Sequence, residues 1–178
     1  MSTPQQADAL ILFGITGDLA RRKLFSALYD LTAAGRLDMP VIGVASRDWT
    51  DETLREKARE ALEASGSAID DAVFAKLAAN LSYVSGNYRD PSTYTRIAER
   101  TSDNACAVAY LAIPPALFDE VVEGLAAVGL NHRGRLVLEK PFGRDTQTAQ
   151  ELNEIVQRHY PEERVYRIDH FLGKEAVQ

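Results

Sequence analysis

Apolar positions recur along this chain in two alternating rhythms. Short apolar runs of strand length are separated by stretches in which apolar residues return every three or four positions. The run Ala9–Phe13 ends at Gly14 and reads as a strand buried on both faces. Leu24, Ala27, Leu28 and Leu31 then fall on one face of a helix that Gly35 stops. Val41–Ala45 is a second strand run. Thr50 suits the N-cap of the next helix, with Asp51 and Glu52 in its first turn and Leu54, Ala58, Ala61 and Leu62 inward. Residues 70–79 read as helix and 81–85 as strand, closed by a Gly86-Asn87 turn, and 93–100 again as helix. Residues 107–113 make a long apolar strand closed by Pro114-Pro115. Leu117, Val121, Leu125 and Val128 mark a helix with Gly129 just past its end. Residues 136–138 form a strand that runs into Glu139-Lys140-Pro141. An amphipathic helix over 146–159 turns Ala149, Leu152, Ile155 and Val156 inward, Val165–Ile168 is the last strand, and Phe171 opens a further helix. Six strands alternating with helices predict an α/β fold with a doubly wound parallel sheet.

Composition narrows the setting. The 178 residues make about one domain, large enough for a real core. Twenty Lys and Arg against 26 Asp and Glu leave a net charge of -6, which argues against nucleic-acid binding through bulk charge. A single cysteine, Cys106, excludes an internal disulfide and a multi-cysteine zinc site, and no metal site is expected. No apolar run approaches the roughly 20 residues that span a bilayer, so no membrane partner is expected. The polar start, Met1 to Asp8, lacks the order of a signal peptide, which leaves the cytoplasm as the expected location.

The clearest motif is Gly14-Ile15-Thr16-Gly17-Asp18-Leu19-Ala20, between the first strand and the first helix. A Rossmann-like dinucleotide-binding domain needs glycines there for a tight turn and close approach to a pyrophosphate, then a small residue where helix packs on strand. Gly14, Gly17 and Ala20 supply these at a spacing that also fits an ordinary strand-to-helix turn. Thr16 is a candidate N-cap or a donor to a phosphate oxygen. The second strand ends in Ser46-Arg47, and a hydroxyl followed by a guanidinium suits a 2′-phosphate, which favours NADP over NAD. Asp48 follows closely and is a candidate partner for Arg47; a solvated loop arginine is the plainer alternative.

Arg167-Ile168-Asp169-His170-Phe171-Leu172-Gly173-Lys174-Glu175 gathers polar residues at the carboxyl end of a strand, where ligands of open α/β sheets sit. His170 and Lys174 would share one face of a helix, and Lys140 also follows a strand end. These residues, with Glu139-Lys140-Pro141-Phe142-Gly143-Arg144-Asp145, Tyr110-Leu111-Ala112-Ile113-Pro114-Pro115 and the glycine motif, resemble the signatures of the glucose-6-phosphate dehydrogenase family, in order and over nearly the whole chain. The resemblance implies NADP-dependent oxidation of glucose 6-phosphate at C1 to 6-phosphogluconolactone, at the entry to the pentose phosphate pathway. It implies that His170 and Lys174 bind the sugar phosphate and that Lys140 contacts both substrate and coenzyme. Asp169 would orient the histidine that serves as general base. The turn Gly14, Ile15, Thr16, Gly17, Asp18 and Leu19 would hold the pyrophosphate, with Ser46 and Arg47 on the 2′-phosphate. Ala112 and Pro114 would border the nicotinamide, and Gly86 and Asn87 are weaker coenzyme candidates.

Departures from the family pattern are visible. Phe171 replaces a tyrosine, and the coenzyme-selecting arginine precedes Arg47 by one position, where this chain has Ser46. The final helix is barely two turns long at Gln178, so the expectation is a coenzyme domain, residues 1–178, cut after its phosphate signature. The family's C-terminal α+β domain, with the general base and the subunit interface, would then be absent, and a homo-oligomer is expected only of the full-length enzyme. Neither His132 nor His159 is placed to replace that base. The rival readings are a stand-alone NADP(H)-binding module and an inactive fragment. A short-chain reductase is excluded because no tyrosine has a lysine four residues on.

Overall fold

The structure is a computed structural model that describes residues 6–66, 68–102, 105–140 and 146–168. Its strands are β1 (Ala9–Phe13), β2 (Val41–Ala45), β3 (Leu81–Ser85), β4 (Ala107–Leu111), β5 (Arg135–Glu139) and β6 (Val165–Ile168). Its helices are α1 (Phe25–Ala33), α2 (Asp51–Ala64), α3 (Asp71–Asn80), α4 (Pro91–Ala98), α5 (Phe118–Ala127) and α6 (Thr146–His159). The strands lie in the order β3-β2-β1-β4-β5-β6, each pair parallel. This is the doubly wound arrangement that the alternation predicts, with the order reversing between β1 and β4.

Strand periodicity divides the core in two. Ala9, Ile11 and Phe13 face one side, against Tyr94, Ile97, Phe118, Val122, Leu125, Leu152 and Val156 of α4, α5 and α6. Leu12 faces the other, with Phe25, Leu28, Tyr29, Leu54, Leu62 and Leu77 of α1, α2 and α3. β2 is buried at every position, as a parallel strand covered on both faces must be. Caps define the helix starts. Thr50 Oγ1 accepts from Thr53 N, Asp70 accepts from Ala72 N and Val73 N, and Asp90 accepts from Ser92 N.

Three local expectations are corrected. In α1 the inward face is Phe25, Leu28, Tyr29 and Thr32, while Ala27 and Leu31 are exposed. Two helical faces share Leu28, and the one that buries two aromatic rings removes far more apolar surface than one that buries Ala27. Thr32 tolerates burial because its hydroxyl donates to Leu28 O at 2.8 Å, and Tyr29 Oη accepts from Asp70 N at 2.7 Å. Second, β4 stops at Leu111, not at residue 113, because Ala112, after a last bond to Phe13 O, closes over the turn that follows β1. Third, α4 begins at Pro91, two residues ahead of the predicted start, since Asp90 caps it and proline suits a first helical turn. The helix expected from Phe171 onward lies outside the described residues.

Candidate functional site

β1, β2 and β4 end level with one another, with Phe13 beside Val44 and Leu111. The turn after β1 therefore sits at the carboxyl edge of the sheet, at the point where strand order reverses. Gly17 N donates to Gly14 O at 2.9 Å and closes that turn. Gly14 has a φ of +82°, and a Cβ there would lie 2.1 Å from Ala112 O, so only glycine fits. Gly17 is different. Its φ is not left-handed, and among the described residues a Cβ would meet only Gly14 O, at 3.1 Å, a tight contact that a shift of a few tenths of an ångström relieves. The fold asks less of Gly17 than of Gly14, and its missing side chain leaves the outer surface of the turn open to an approaching group.

Helical backbone begins at Asp18, and Arg21 N donates to Gly17 O. No cap bond is formed by Thr16 among the described residues, which removes its N-cap role and leaves its hydroxyl at the edge of a groove. Leu19 is half-buried in the first helical turn. Ala20 is fully buried, as the small residue at the helix-to-sheet contact must be. A wide π-helical turn spans Ala20–Leu24, with Phe25 N donating to Ala20 O. Ala20 and Phe25 both face inward, and Arg21, Arg22 and Lys23 between them are exposed. Ile15 is buried beneath the turn in space that Gly43 vacates, since a Cβ on Gly43 would lie 2.9 Å from Ile15 Cγ2.

A groove of ≈ 930 Å³ opens from this turn along α2. Ile15, Thr16, Gly17 and Asp18 form one end, and four cations, Arg21, Arg22, Arg47 and Lys57, face it. Arg21 is paired with Asp18 at 3.1 Å and Lys57 with Glu60 at 2.7 Å. The predicted Arg47–Asp48 pair does not form, and Arg22 and Arg47 have no carboxylate partner among the described residues. Tyr83 Oη donates to Ala45 O at 3.0 Å and Arg47 O at 2.8 Å, which fixes the backbone that carries Arg47. Burial pushes the Tyr83 phenol up to about 12, so it remains a neutral donor. Trp49 lies against the Tyr83 ring, centroids 5.9 Å apart, and lines the same groove. Ser46 is exposed at the end of β2 but is not part of the groove wall.

On the other side of the turn lie Ala112 and Pro114, where β4 leaves the sheet. Lys140 is exposed just past β5 at the same edge, and Tyr110 Oη donates to Glu139 Oε1 beside it. Gly86 has a packing reason of its own, because a Cβ would lie 2.3 Å from Thr93 Oγ1. Asn87 is exposed and organises its own turn, accepting from Arg89 N on Oδ1 and from Thr93 Oγ1 on its carbonyl. Asp169, His170 and Lys174 lie outside the described residues. His132 lies in the loop entering β5 and His159 ends α6 ahead of β6, both at the opposite edge of the sheet, where their carbonyls accept from Arg164 and Asn131.

One residue under the turn escaped the sequence reading. Tyr88 Oη accepts from Gly14 N at 3.0 Å and donates to Val44 O at 3.1 Å, and its ring stands edge-on to Phe13 at 5.7 Å. Burial pushes this phenol up to about 12. Tyr94 Oη donates to Tyr88 O at 2.6 Å, so α4 holds Tyr88 as Tyr88 holds the turn. Tyr88 is 74 positions from Gly14, and no local pattern marks it. Lys57, Trp49 and Arg22 were likewise unmarked, since each looks locally like an ordinary surface or core-edge residue.

A parallel sheet of this order, with a glycine turn at its point of reversal, defines the dinucleotide-binding α/β class. The model of the family described as glucose-6-phosphate dehydrogenase, NAD binding domain, matches residues 11–178. Glucose-6-phosphate 1-dehydrogenase 1 of Mycobacterium tuberculosis strain H37Rv is 46% identical over 171 residues, covering 96% of this chain and 36% of that protein. The enzyme of Chlamydia muridarum is 37% identical over 188 residues, covering 95% and 37%. Among solved structures, glucose-6-phosphate 1-dehydrogenase from Mycobacterium avium superposes with a TM-score of 0.91 at 46% identity, covering 95% of this chain and 37% of that one. A glucose-6-phosphate dehydrogenase in complex with its substrate glucose-6-phosphate gives 0.85 at 34% identity, covering 98% and 39%. The chain belongs to the glucose-6-phosphate dehydrogenase family and corresponds to its nicotinamide-dinucleotide-binding part. It spans little more than a third of the length of these relatives. Among the described residues no helix is long and apolar enough to cross a membrane.

Proposed function

We propose that residues 1–178 form an NADP-binding domain serving the oxidation of glucose 6-phosphate at C1 to 6-phosphogluconolactone. The observation that carries this reading is the groove. It begins at a turn whose outer surface Gly17 leaves open, and it holds Arg47 without a carboxylate partner among the described residues. Both fit a pyrophosphate followed by a 2′-phosphate ribose. A reducing, cytoplasmic setting fits the single buried thiol of Cys106.

In this reading the backbone from Gly14 to Leu19 receives the pyrophosphate, and Arg47 with Ser46 receives the 2′-phosphate. Ala112 and Pro114 border the nicotinamide, which supplies the hydride acceptor when bound. Lys140 sits where it can contact substrate and coenzyme, His170 and Lys174 hold the sugar phosphate, and Asp169 orients a base. Gly86 and Asn87 shape the neighbouring loop more than they touch ligand, since both are occupied by contacts with α4 and its cap.

The C1 hydroxyl must lose its proton as hydride leaves, and a positioned base contributes about 10²–10⁴-fold to such a step. His132 and His159, at the far edge of the sheet, cannot supply it, and His170 is committed to phosphate. The base therefore belongs to a part of the enzyme other than these residues, and the 178-residue chain alone binds coenzyme without useful turnover. Calorimetric titration with NADP and NAD tests the binding half of the proposal. NADP should bind roughly 10- to 100-fold more tightly, the range that charge-assisted contacts supply, and Arg47→Ala should lower that preference by roughly 10-fold. Equal affinities in the parent chain would remove the NADP assignment.

A further inference from the structure

We propose that Arg22 is a second specificity-determining residue, forming with Arg47 a two-guanidinium seat for the coenzyme 2′-phosphate; this rests on the NADP reading above. Four cations face the groove, and two are spent. Arg21 holds Asp18 at 3.1 Å and Lys57 holds Glu60 at 2.7 Å, which leaves Arg22 and Arg47 as the cations without a carboxylate among the described residues. They approach from different elements, Arg22 from the π-helical turn after the glycine motif and Arg47 from the loop after β2. Because β1 and β2 are paired neighbours, both elements leave the same edge of the sheet beside the same turn.

The local backbone explains why Arg22 is available. Ala20 and Phe25 are both buried, five positions apart, and the Phe25 N–H to Ala20 O bond closes the wide turn between them. Exposed residues of that turn must project outward, and Arg22 is the one that reaches the groove without a side-chain partner among the described residues. A phosphate monoester carries a charge of about -1.5 to -2 at neutral pH. A single guanidinium leaves roughly half of that charge unmatched, and a second, from another direction, completes it with further charge-assisted bonds. The ribose hydroxyl of NAD offers neither arginine a charge. The pair therefore acts on the difference between the coenzymes and not on the pyrophosphate they share.

The test is calorimetry on the 178-residue chain with NADP, NAD and 2′,5′-ADP, comparing parent, Arg22→Ala, Arg47→Ala and the double variant. Arg22 is exposed, so folding should survive, and circular dichroism verifies it. Arg22→Ala should weaken NADP and 2′,5′-ADP by roughly 10-fold and leave NAD within twofold, as Arg47→Ala should, with the double variant near parity between coenzymes. Unchanged NADP affinity in Arg22→Ala, beside a clear loss in Arg47→Ala, overturns the inference and leaves the NADP reading standing. Equal weakening of NADP and NAD also overturns it, by moving Arg22 to the pyrophosphate. A parent chain without preference for NADP overturns both.

Discussion

Gly14 and Gly17 bracket one turn, yet their substitution should separate stability from binding. At Gly14 an alanine must adopt a φ of +82° with its Cβ 2.1 Å from Ala112 O. A left-handed backbone costs an L residue about 1–2 kcal/mol. Relieving contact with a backbone carbonyl requires a main-chain shift of the kind that overpacking demands, about 1–3 kcal/mol. Together Gly14→Ala should cost roughly 2–5 kcal/mol. At about 2–4 °C per kcal/mol for a chain of this size, that lowers Tm by roughly 4–20 °C. Gly17→Val meets a milder obstacle, because among the described residues its Cβ would approach only Gly14 O, at 3.1 Å, a tight contact that a shift of a few tenths of an ångström relieves. Its branched side chain would instead stand where the pyrophosphate must come. The pair is read by thermal melts followed by circular dichroism and by coenzyme titration. Gly14→Ala should melt early, whereas Gly17→Val should melt within a few degrees of the parent, about 2–4 °C, and lose measurable NADP binding. Unchanged affinity in a well-folded Gly17→Val would show that the turn is structural only, and an unchanged Tm in Gly14→Ala would contradict the contact with Ala112.

Tyr88→Phe removes the hydroxyl that accepts from Gly14 N and donates to Val44 O while keeping the ring beside Phe13. It should cost about 0.5–1.5 kcal/mol in urea unfolding, and a midpoint equal to the parent's would show that the hydroxyl carries none of this. Tyr83 and Tyr88 have phenols raised by burial from 10.0 to about 12, so in the unfolded chain they deprotonate first. Their contribution is complete below pH 10 and is lost as pH rises from there through about 12, so the urea midpoint should fall across that window; a flat midpoint would contradict the burial. Mixing the 178-residue chain with NADP and glucose 6-phosphate should give no useful NADPH formation by absorbance. Robust turnover would force the base to be His132, His159 or His170.

The alternation of apolar rhythms was enough to place the six strands and six α-helices, though not the π-helical turn or the ends of β4 and α4, because parallel strands buried on both faces leave continuous apolar runs. The glycine motif was legible for a related reason, and Arg47 was marked as a cation that the structure puts on the groove wall. A tight turn demands particular residue types at short spacing, and short spacing survives in one dimension. Tertiary structure decided the rest. Which face of α1 turns inward depended on whether Phe25 and Tyr29 had a sheet to bury against, and the local pattern supported two faces that share Leu28. That the fold confines Gly14 far more than Gly17 emerged from Ala112, almost a hundred positions away, which closes over one glycine and not the other. Tyr88 beneath the turn, and Arg22, Trp49 and Lys57 along the groove, carry no local signature, because hydrogen bonding and charge pairing act through space and sequence records only neighbours along the chain.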